Sequence, residues 1–324
     1  MKRAVGATVA VLAATLLAAA PGPLVAAPQD QSLARLQERD RRLFAAGWRL
    51  VTGNAPYCTG AAPALGLAVL DAGGFGDPAA VRRQLGLTGD LAVGAVAPGS
   101  PAERAGIAPG DTLLALNGDD LDRRFARAGP AWRRLVEVTA ALDAAAAAGP
   151  VTLTIARAGA APHSVTAVGV PACPSRFEVL DRGGGAMAEG SRVILGRDFP
   201  GFAYPEPEFA AAVAHELAHN FLGHRALLDA QGRSLGRVRL TEREADRLGA
   251  WLLANAGIEP EAMTRFMERW GPRHGGGLFR KRTHEGWDER AAAIRAEVAL
   301  VRAAMAHDGQ ADWARHFVRE LPAG

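Results

Sequence analysis

The stretch "VAPGSPAERAGIAPGDTLLALNGDDL", residues Val96–Leu121, places turn-forming residues and a short apolar run in close succession. Pro109-Gly110 predicts a tight turn, and Asn117-Gly118 predicts a chain reversal, because these residues adopt the backbone angles that turns require. Between the two turns, the three leucines of residues 113–116 predict a buried strand. The stretch therefore predicts a compact fold in which short strands are joined by turns.

The same texture extends outward from this stretch. From about Cys58 to Cys173, short β-like runs are punctuated by glycine and proline, which predicts one domain rich in strands. A helix is predicted over Ala131–Ala148, where Gly149-Pro150 stops it. The alternating apolar residues of 151–155 then predict a closing strand.

This order of elements closely resembles a PDZ domain over roughly residues 59–172, with a generic β domain as the alternative. The resemblance implies that "ALGLAVL" (Ala64–Leu70) holds a peptide carboxylate on main-chain amides around Gly66, while Leu67 lines the pocket. It also implies that the C-terminal tail of a protein or peptide adds as an extra strand beside the predicted helix. Such a groove would serve to capture substrate or to inhibit the rest of the chain.

A different motif, "HELAHNFLGH", spans His215–His224. On a helix, His215 and His219 emerge from one face a single turn apart, which suits one zinc ion. Glu216 lies close enough to orient and deprotonate a water molecule, as His-Glu-x-x-His motifs require. The metzincin pattern fails, because positions 222 and 225 are leucine and arginine. We predict that His224 points away from His219 and is structural.

A third metal ligand is predicted in "TEREADRLGAWLLANAG", residues Thr241–Gly257. Thr241 and Glu244 predict a capping box for a second helix that ends before Gly257. Glu242 and Asp246 then share one helix face. A site of two histidines and one carboxylate needs such a glutamate and an acidic partner for a histidine ring. A solvated acidic helix start is the alternative.

Together, "HELAH" and "EREAD" resemble the HtpX-like and CaaX-prenyl-protease-type zinc metallopeptidases, which are gluzincins, over roughly residues 176–305. The resemblance implies one Zn²⁺ per chain, bound by His215, His219 and Glu242. It makes Glu216 the general base and gives Asp246 a supporting role.

Two further stretches fit this resemblance. "RTHEGWDER" (Arg282–Arg290) implies that His284 stabilises an oxyanion or gates the metal and that Arg290 pairs with Asp246, although Glu285 replaces the family's usual proline. "SRVILG" (Ser191–Gly196) predicts a strand ahead of the metal helix. That strand is either an edge strand that holds an extended substrate or an ordinary core strand.

The first residues bear on the compartment. Lys2 and Arg3 precede an uncharged apolar run, Ala4–Ala20, which is the layout of a secretory signal. The run is short for a membrane span, and an uncleaved anchor stays open. Export favours a disulfide between Cys58 and Cys173 over two reduced, buried cysteines.

The chain of 324 residues has a formal net charge of only +3, and it lacks a basic stripe with interleaved aromatic residues. These features exclude a nucleic-acid partner. After the leader, a helix is predicted over Gln31–Trp48, with Asp30 as its N-cap and leucines on its apolar face.

We therefore predict a multidomain α+β protein with a small β-rich PDZ domain followed by a mainly helical gluzincin metalloprotease domain. The predicted boundaries are 1–27 for a signal peptide, 28–57 for an N-terminal helix, 58–175 for the PDZ domain and 176–324 for the metallopeptidase. The predicted function is that of a periplasmic or secreted zinc endopeptidase acting on protein or peptide substrates, with peripheral membrane association left open. The rival is a PDZ peptide-binding scaffold or chaperone whose zinc site is structural or inactive.

Overall fold

The computed structural model describes residues 28–274 and 286–321 as a mixed fold of helices and short strands. The helices are α1 Pro28–Gly53, α2 Pro78–Leu85, α3 Pro101–Arg104, α4 Leu121–Arg124, α5 Ala131–Ala148, α6 Glu206–Phe221, α7 His224–Gln231, α8 Leu235–Asn255, α9 Glu261–His274, α10 Trp287–Asp308 and α11 Trp313–His316. The strands are β1 Ala62–Ala64, β2 Leu67–Asp71, β3 Leu91–Val96, β4 Thr112–Leu116, β5 Asp119–Asp120, β6 Val151–Ala156, β7 His163–Ala167, β8 Val170–Ala172, β9 Arg176–Leu180, β10 Ala186–Ala188 and β11 Arg192–Gly196.

The strand-rich region is an antiparallel sheet in the order β2-β3-β4-β6-β7, with β5 paired to β4. Helix α5 has the predicted bounds and packs Val138 and Leu142 into the same core as Leu113 and Leu116 of β4. The predicted reversal is a two-residue hairpin loop, because Leu116 pairs with Asp119 across residues 117–118. Both loop residues have positive φ, which explains why asparagine and glycine stand there.

The helical region has its own core, built mainly from α6, α8, α9 and α10. Trp251 is its largest fully buried side chain, and the indole Nε1–H donates a 2.7 Å hydrogen bond to Glu297 of α10. A buried indole that keeps a hydrogen-bond partner loses little on leaving water. This core fixes α6 and α8 side by side, and these are the helices that carry the predicted metal ligands.

Helix α1 connects the two cores. Leu43 and Leu50 are fully buried in the helical core, whereas Leu33 packs with Leu70 against the strand-rich region. The prediction of an N-cap at Asp30 is wrong, because the helix already begins at Pro28. Proline is tolerated in the first turn of a helix, where its missing N–H has no partner to lose.

The bond predicted between Cys58 and Cys173 is confirmed, with a Cα–Cα distance of 5.8 Å. Beside it, the main-chain N–H of Cys173 donates to the carbonyl of Val51 at the end of α1. Strands β1 and β8, which enter and leave the strand-rich region, pair antiparallel close by. A covalent cross-link therefore joins the two ends of the strand-rich region.

A small sheet in the order β10-β11-β9 covers α6. Strand β11 is the predicted "SRVILG" strand, but it is central, parallel to β9 and antiparallel to β10. The alternative of a core strand is therefore correct, and Val193–Leu195 is buried. The edge position belongs to β10, Ala186–Ala188, whose glycine-rich surroundings carry no strand periodicity.

Helix α8 begins almost two turns earlier than the capping box at Thr241 and Glu244 predicts. Its N-cap is Ser234, whose hydroxyl accepts a hydrogen bond from the main-chain N–H of Arg237. Thr241 and Glu244 are buried in the helix interior, where Glu244 binds other partners. Among the described residues, no helix combines the length and apolar character that crossing a membrane requires.

Candidate metal centre

The two histidines of the motif lie on one face of α6, as their spacing predicts. Their Nε2 atoms are 3.2 Å apart, and the rings meet edge to face. The preceding turns, Phe209–Ala214, are buried on all sides, which fixes the rotation of the helix about its axis. His215 and His219 are consequently held beside a cavity rather than exposed on the surface.

Glu242 reaches the same point from α8. Its carboxylate oxygens lie 3.6 Å from Nε2 of His215 and 3.6 Å from Nε2 of His219. One ligand atom from each of these three residues lies within 4.8 Å of the others. Two imidazoles and one carboxylate are the donor set of many zinc sites with an open position, so the cluster fits zinc.

Asp246 holds His215 from behind, one turn further along α8. Its Oδ1 lies 3.0 Å from Nδ1 of His215, so the imidazole Nε2 is the nitrogen turned toward Glu242. Arg290 of α10 grips the same carboxylate with two hydrogen bonds of 2.6 and 2.9 Å. Asp246 is 1% exposed, and a carboxylate so buried needs this charged partner.

The prediction that His224 points away from His219 is wrong. The Nδ1 atoms of the two rings are 2.9 Å apart, and Nε2 of His224 lies 3.0 Å from Glu244. The prediction assumed one continuous helix, but Gly223 adopts a φ of +66° and separates α6 from α7. The glycine was the available signal, because such residues commonly end helices and redirect the chain.

The charges of the cluster explain its titration. Burial lowers the pKa of His215, but hydrogen bonds to Asp246 and Glu242 outweigh it and raise that pKa well above its usual range. Burial and the neighbouring positive charge of His215 lower the pKa of His219. Of the two histidines, His215 therefore holds a proton more readily than His219, and a bound cation would take the place of that positive charge.

Glu216 lines the same cavity, next to His215 on α6. Burial raises the pKa of its carboxyl to about 7, with the charge of His215 opposing the shift and that of Glu242 supporting it. A carboxyl group with a pKa near neutrality can both accept and release a proton at physiological pH.

The cavity has a volume of about 540 Å³ and three kinds of wall. Strand β10 forms one rim. An apolar wall comes from Phe199, Phe266, Met267 and Trp270, and a basic one from Arg225 and Arg233. The cavity therefore offers both apolar and basic surfaces beside the predicted metal ligands.

The predicted carboxylate loop leads from β1 into β2. Gly66 has a φ of +74°, and a Cβ there would lie 2.3 Å from Ser100, so the position requires glycine. Leu67 is half-buried against the core of the strand-rich region. Leu65 and Gly66 are both buried, and their carbonyl groups accept hydrogen bonds from the main-chain N–H groups of Ala102 and Ala97.

Two predicted features lie outside the described residues. These are the signal peptide at residues 1–27 and His284 in the segment that precedes α10.

Comparison with protein families matches residues 93–157 to the PDZ domain. The matched range runs from β3 through β6, so the strand-rich region contains a PDZ domain, a kind of domain that suggests a module for protein interaction. PDZ domains generally bind peptide C-termini, which agrees with protein or peptide partners. The domain is internal rather than N-terminal, because α1 precedes it. No curated protein matches the chain.

Proposed function

We propose that the protein is an exported zinc-dependent endopeptidase of the gluzincin type, with a PDZ domain that captures the tails of protein substrates. The observation that carries this proposal is the convergence of His215, His219 and Glu242 from two helices beside Glu216 at one cavity. The supporting contact between Asp246 and Arg290, which the resemblance implies, agrees with it.

The donors are oriented for a metal ion. Each histidine uses Nδ1 for a hydrogen bond within the protein, which leaves Nε2 for the cluster. Among the described residues the cluster offers three ligands, so a position for water or substrate stays open. A zinc ion held there would supply Lewis-acid polarisation of the scissile carbonyl.

Glu216 would handle the proton in this reaction. Its carboxylate takes a proton from the attacking water and later passes it to the amine that leaves. Its raised pKa suits both steps, because the group must gain a proton and then lose it within one turnover.

The substrate would lie along β10. Among the strands that the structure describes, only β11 pairs with it, so an extended peptide can add to its other edge. The same strand lines the cavity, and the apolar wall that includes Phe266 and Trp270 would accept an apolar side chain next to the scissile bond. These features favour unfolded or extended envelope proteins as substrates.

The disulfide supports export, since such bonds persist mainly in oxidising compartments. The match to the PDZ domain supports capture of a peptide C-terminus. A tail bound there would raise the local concentration of its own chain at the metal centre.

The test is hydrolysis of casein by the purified protein, with and without a chelator, followed by addition of zinc. Glu216→Gln should retain zinc and lose hydrolysis. Glu206→Gln is the matched control, because Glu206 lies on the same helix but is exposed and far from the metal ligands. Casein cleavage by Glu216→Gln at the wild-type rate would refute the role of Glu216. A wild-type protein that binds zinc without cleaving casein would instead support a PDZ scaffold with a structural site.

A further inference from the structure

We propose that His224 and Glu244 position the ring of His219 through its Nδ1 atom, and that the C-terminal segment Arg319–Leu321 holds His224 and Glu244 in place. The inference rests on the proposed metal site. It extends that site by about 75 residues along the chain, to a segment that no motif identifies.

The contacts form one unbroken line. His219 turns Nε2 toward the metal ligands, so Nδ1 lies on the opposite side of the ring, where it meets Nδ1 of His224 at 2.9 Å. Nε2 of His224 then meets Oε2 of Glu244 at 3.0 Å. His224 is 1% exposed and Glu244 is fully buried, so solvent does not compete for these hydrogen bonds.

The chemistry of the groups sets the direction of the hydrogen bonds. An ionised carboxylate only accepts, so Nε2 of His224 carries a hydrogen and donates it to Glu244. The Nδ1 of a neutral His224 then accepts a hydrogen from Nδ1 of His219. That tautomer leaves the lone pair of the His219 Nε2 free, which is the form that a metal requires.

The ring of His215 is oriented more directly, because its Nδ1 contacts the carboxylate of Asp246. Both predicted ligand histidines are thus oriented by acidic residues of α8. Asp246 contacts the ring of His215 directly, whereas Glu244 acts on the ring of His219 through the intervening ring of His224.

The C-terminal segment surrounds Glu244. The main-chain N–H groups of Glu320 and Leu321 donate to its Oε1, and Nε of Arg319 donates to its Oε2 at 2.9 Å. Arg319 also donates to the carbonyl of Leu222 at the end of α6. Together with His224, these groups give Glu244 four hydrogen-bond donors that fix the position of its carboxylate, so the segment is part of the support for His219.

The experiment compares three substitutions at His224. His224→Asn keeps a side-chain oxygen near the position of Nδ1 and can accept from His219. His224→Gln reaches the position of Nε2 and can still contact Glu244, and His224→Leu keeps neither contact. The control is His307→Leu on α10, where the side chain is 87% exposed.

Two readouts separate positioning from general stability. Zinc affinity, measured by competition with a chelator, should fall about 10- to 100-fold in His224→Leu, by analogy with other groups that orient metal ligands. His224→Asn should retain more affinity than His224→Gln. In the metal-free protein, ¹⁵N chemical shifts should show the hydrogen of His219 on Nδ1 in the wild type and a mixture of tautomers in His224→Leu.

Truncation of the chain before Arg319 should also weaken zinc binding. A variant that combines this truncation with His224→Leu should have nearly the same zinc affinity as His224→Leu alone. Wild-type affinity together with an unchanged His219 tautomer in His224→Leu would overturn the inference. If the wild type binds no zinc, the proposed function fails, while the His219 tautomer in the metal-free protein still decides the inference.

Discussion

Removal of the disulfide should destabilise the protein by several kcal/mol. The bond joins Cys58 and Cys173 across a sequence separation of 115 residues. Chain-entropy arguments assign about 5 kcal/mol at 25 °C to closure of a loop of this length in the unfolded chain. With a denaturant slope of about 2–3 kcal/mol per molar urea, reduction should lower the unfolding midpoint by about 2 M.

The assay is urea unfolding of the oxidised and reduced wild type, followed by circular dichroism and tryptophan fluorescence. The double variant Cys58→Ala with Cys173→Ala is the control, because a reductant should leave its midpoint unchanged. It also shows how much of the effect comes from the lost packing of Cys173, which is 3% exposed in the helical core.

A midpoint that shifts by less than about 0.3 M on reduction would contradict this prediction. That result would mean that the cross-link does not restrict the unfolded chain. A shift of equal size in the double variant would instead show that the reductant acts elsewhere.

Four other expectations follow from the site and the groove. Asp246→Asn removes an anionic acceptor shared by His215 and Arg290, so zinc affinity measured by chelator competition should fall about 10- to 100-fold. The control, Asp229→Asn on the exposed face of α7, should leave zinc affinity unchanged. Leu67→Asp should raise KM about tenfold for protein substrates with free C-terminal tails and leave short peptides unaffected; equal losses on both would argue for a folding defect. Trp270→Ala should lower kcat/KM for peptides with an aromatic residue beside the scissile bond more than for those with alanine, and a uniform loss would contradict an apolar subsite. Burial raises the pKa of Glu244, but hydrogen bonds from His224 and the C-terminal segment outweigh it and lower that pKa to about 2. The stabilising contribution of Glu244 is therefore present above pH 4.5 and is lost as the pH falls toward 2. Glu244→Gln should show a flatter pH dependence of urea unfolding over that range.

Local patterns in the sequence predicted much of the PDZ domain. The bounds of α5 were correct because Gly149-Pro150 stops the helix chemically, whatever surrounds it. The hairpin at Asn117-Gly118 was correct for the same kind of reason, since both residues tolerate positive φ. The disulfide followed from the inferred compartment and from the position of its cysteines at the two ends of the domain.

The errors arose where distant contacts decide the structure. Thr241 and Glu244 match a capping box, yet Glu244 is bound by His224 and by a segment about 75 residues further along the chain. The edge or core position of β11 was left open for a similar reason, because it depends on pairing with β9 and β10, and the three residues of β10 are too few to show a period. The contact between His224 and His219 was missed because helical spacing was applied across Gly223.

The disulfide that joins the two ends of the strand-rich region also determines the outcome of a proteolytic cut within it. Every peptide bond between Cys58 and Cys173 lies inside a covalent ring closed by the disulfide. A single proteolytic nick in a surface turn of this ring opens the chain but releases no fragment, and the two pieces stay attached through the cystine. In an oxidising compartment, a protein cut within its PDZ domain therefore keeps that domain attached to the helical region.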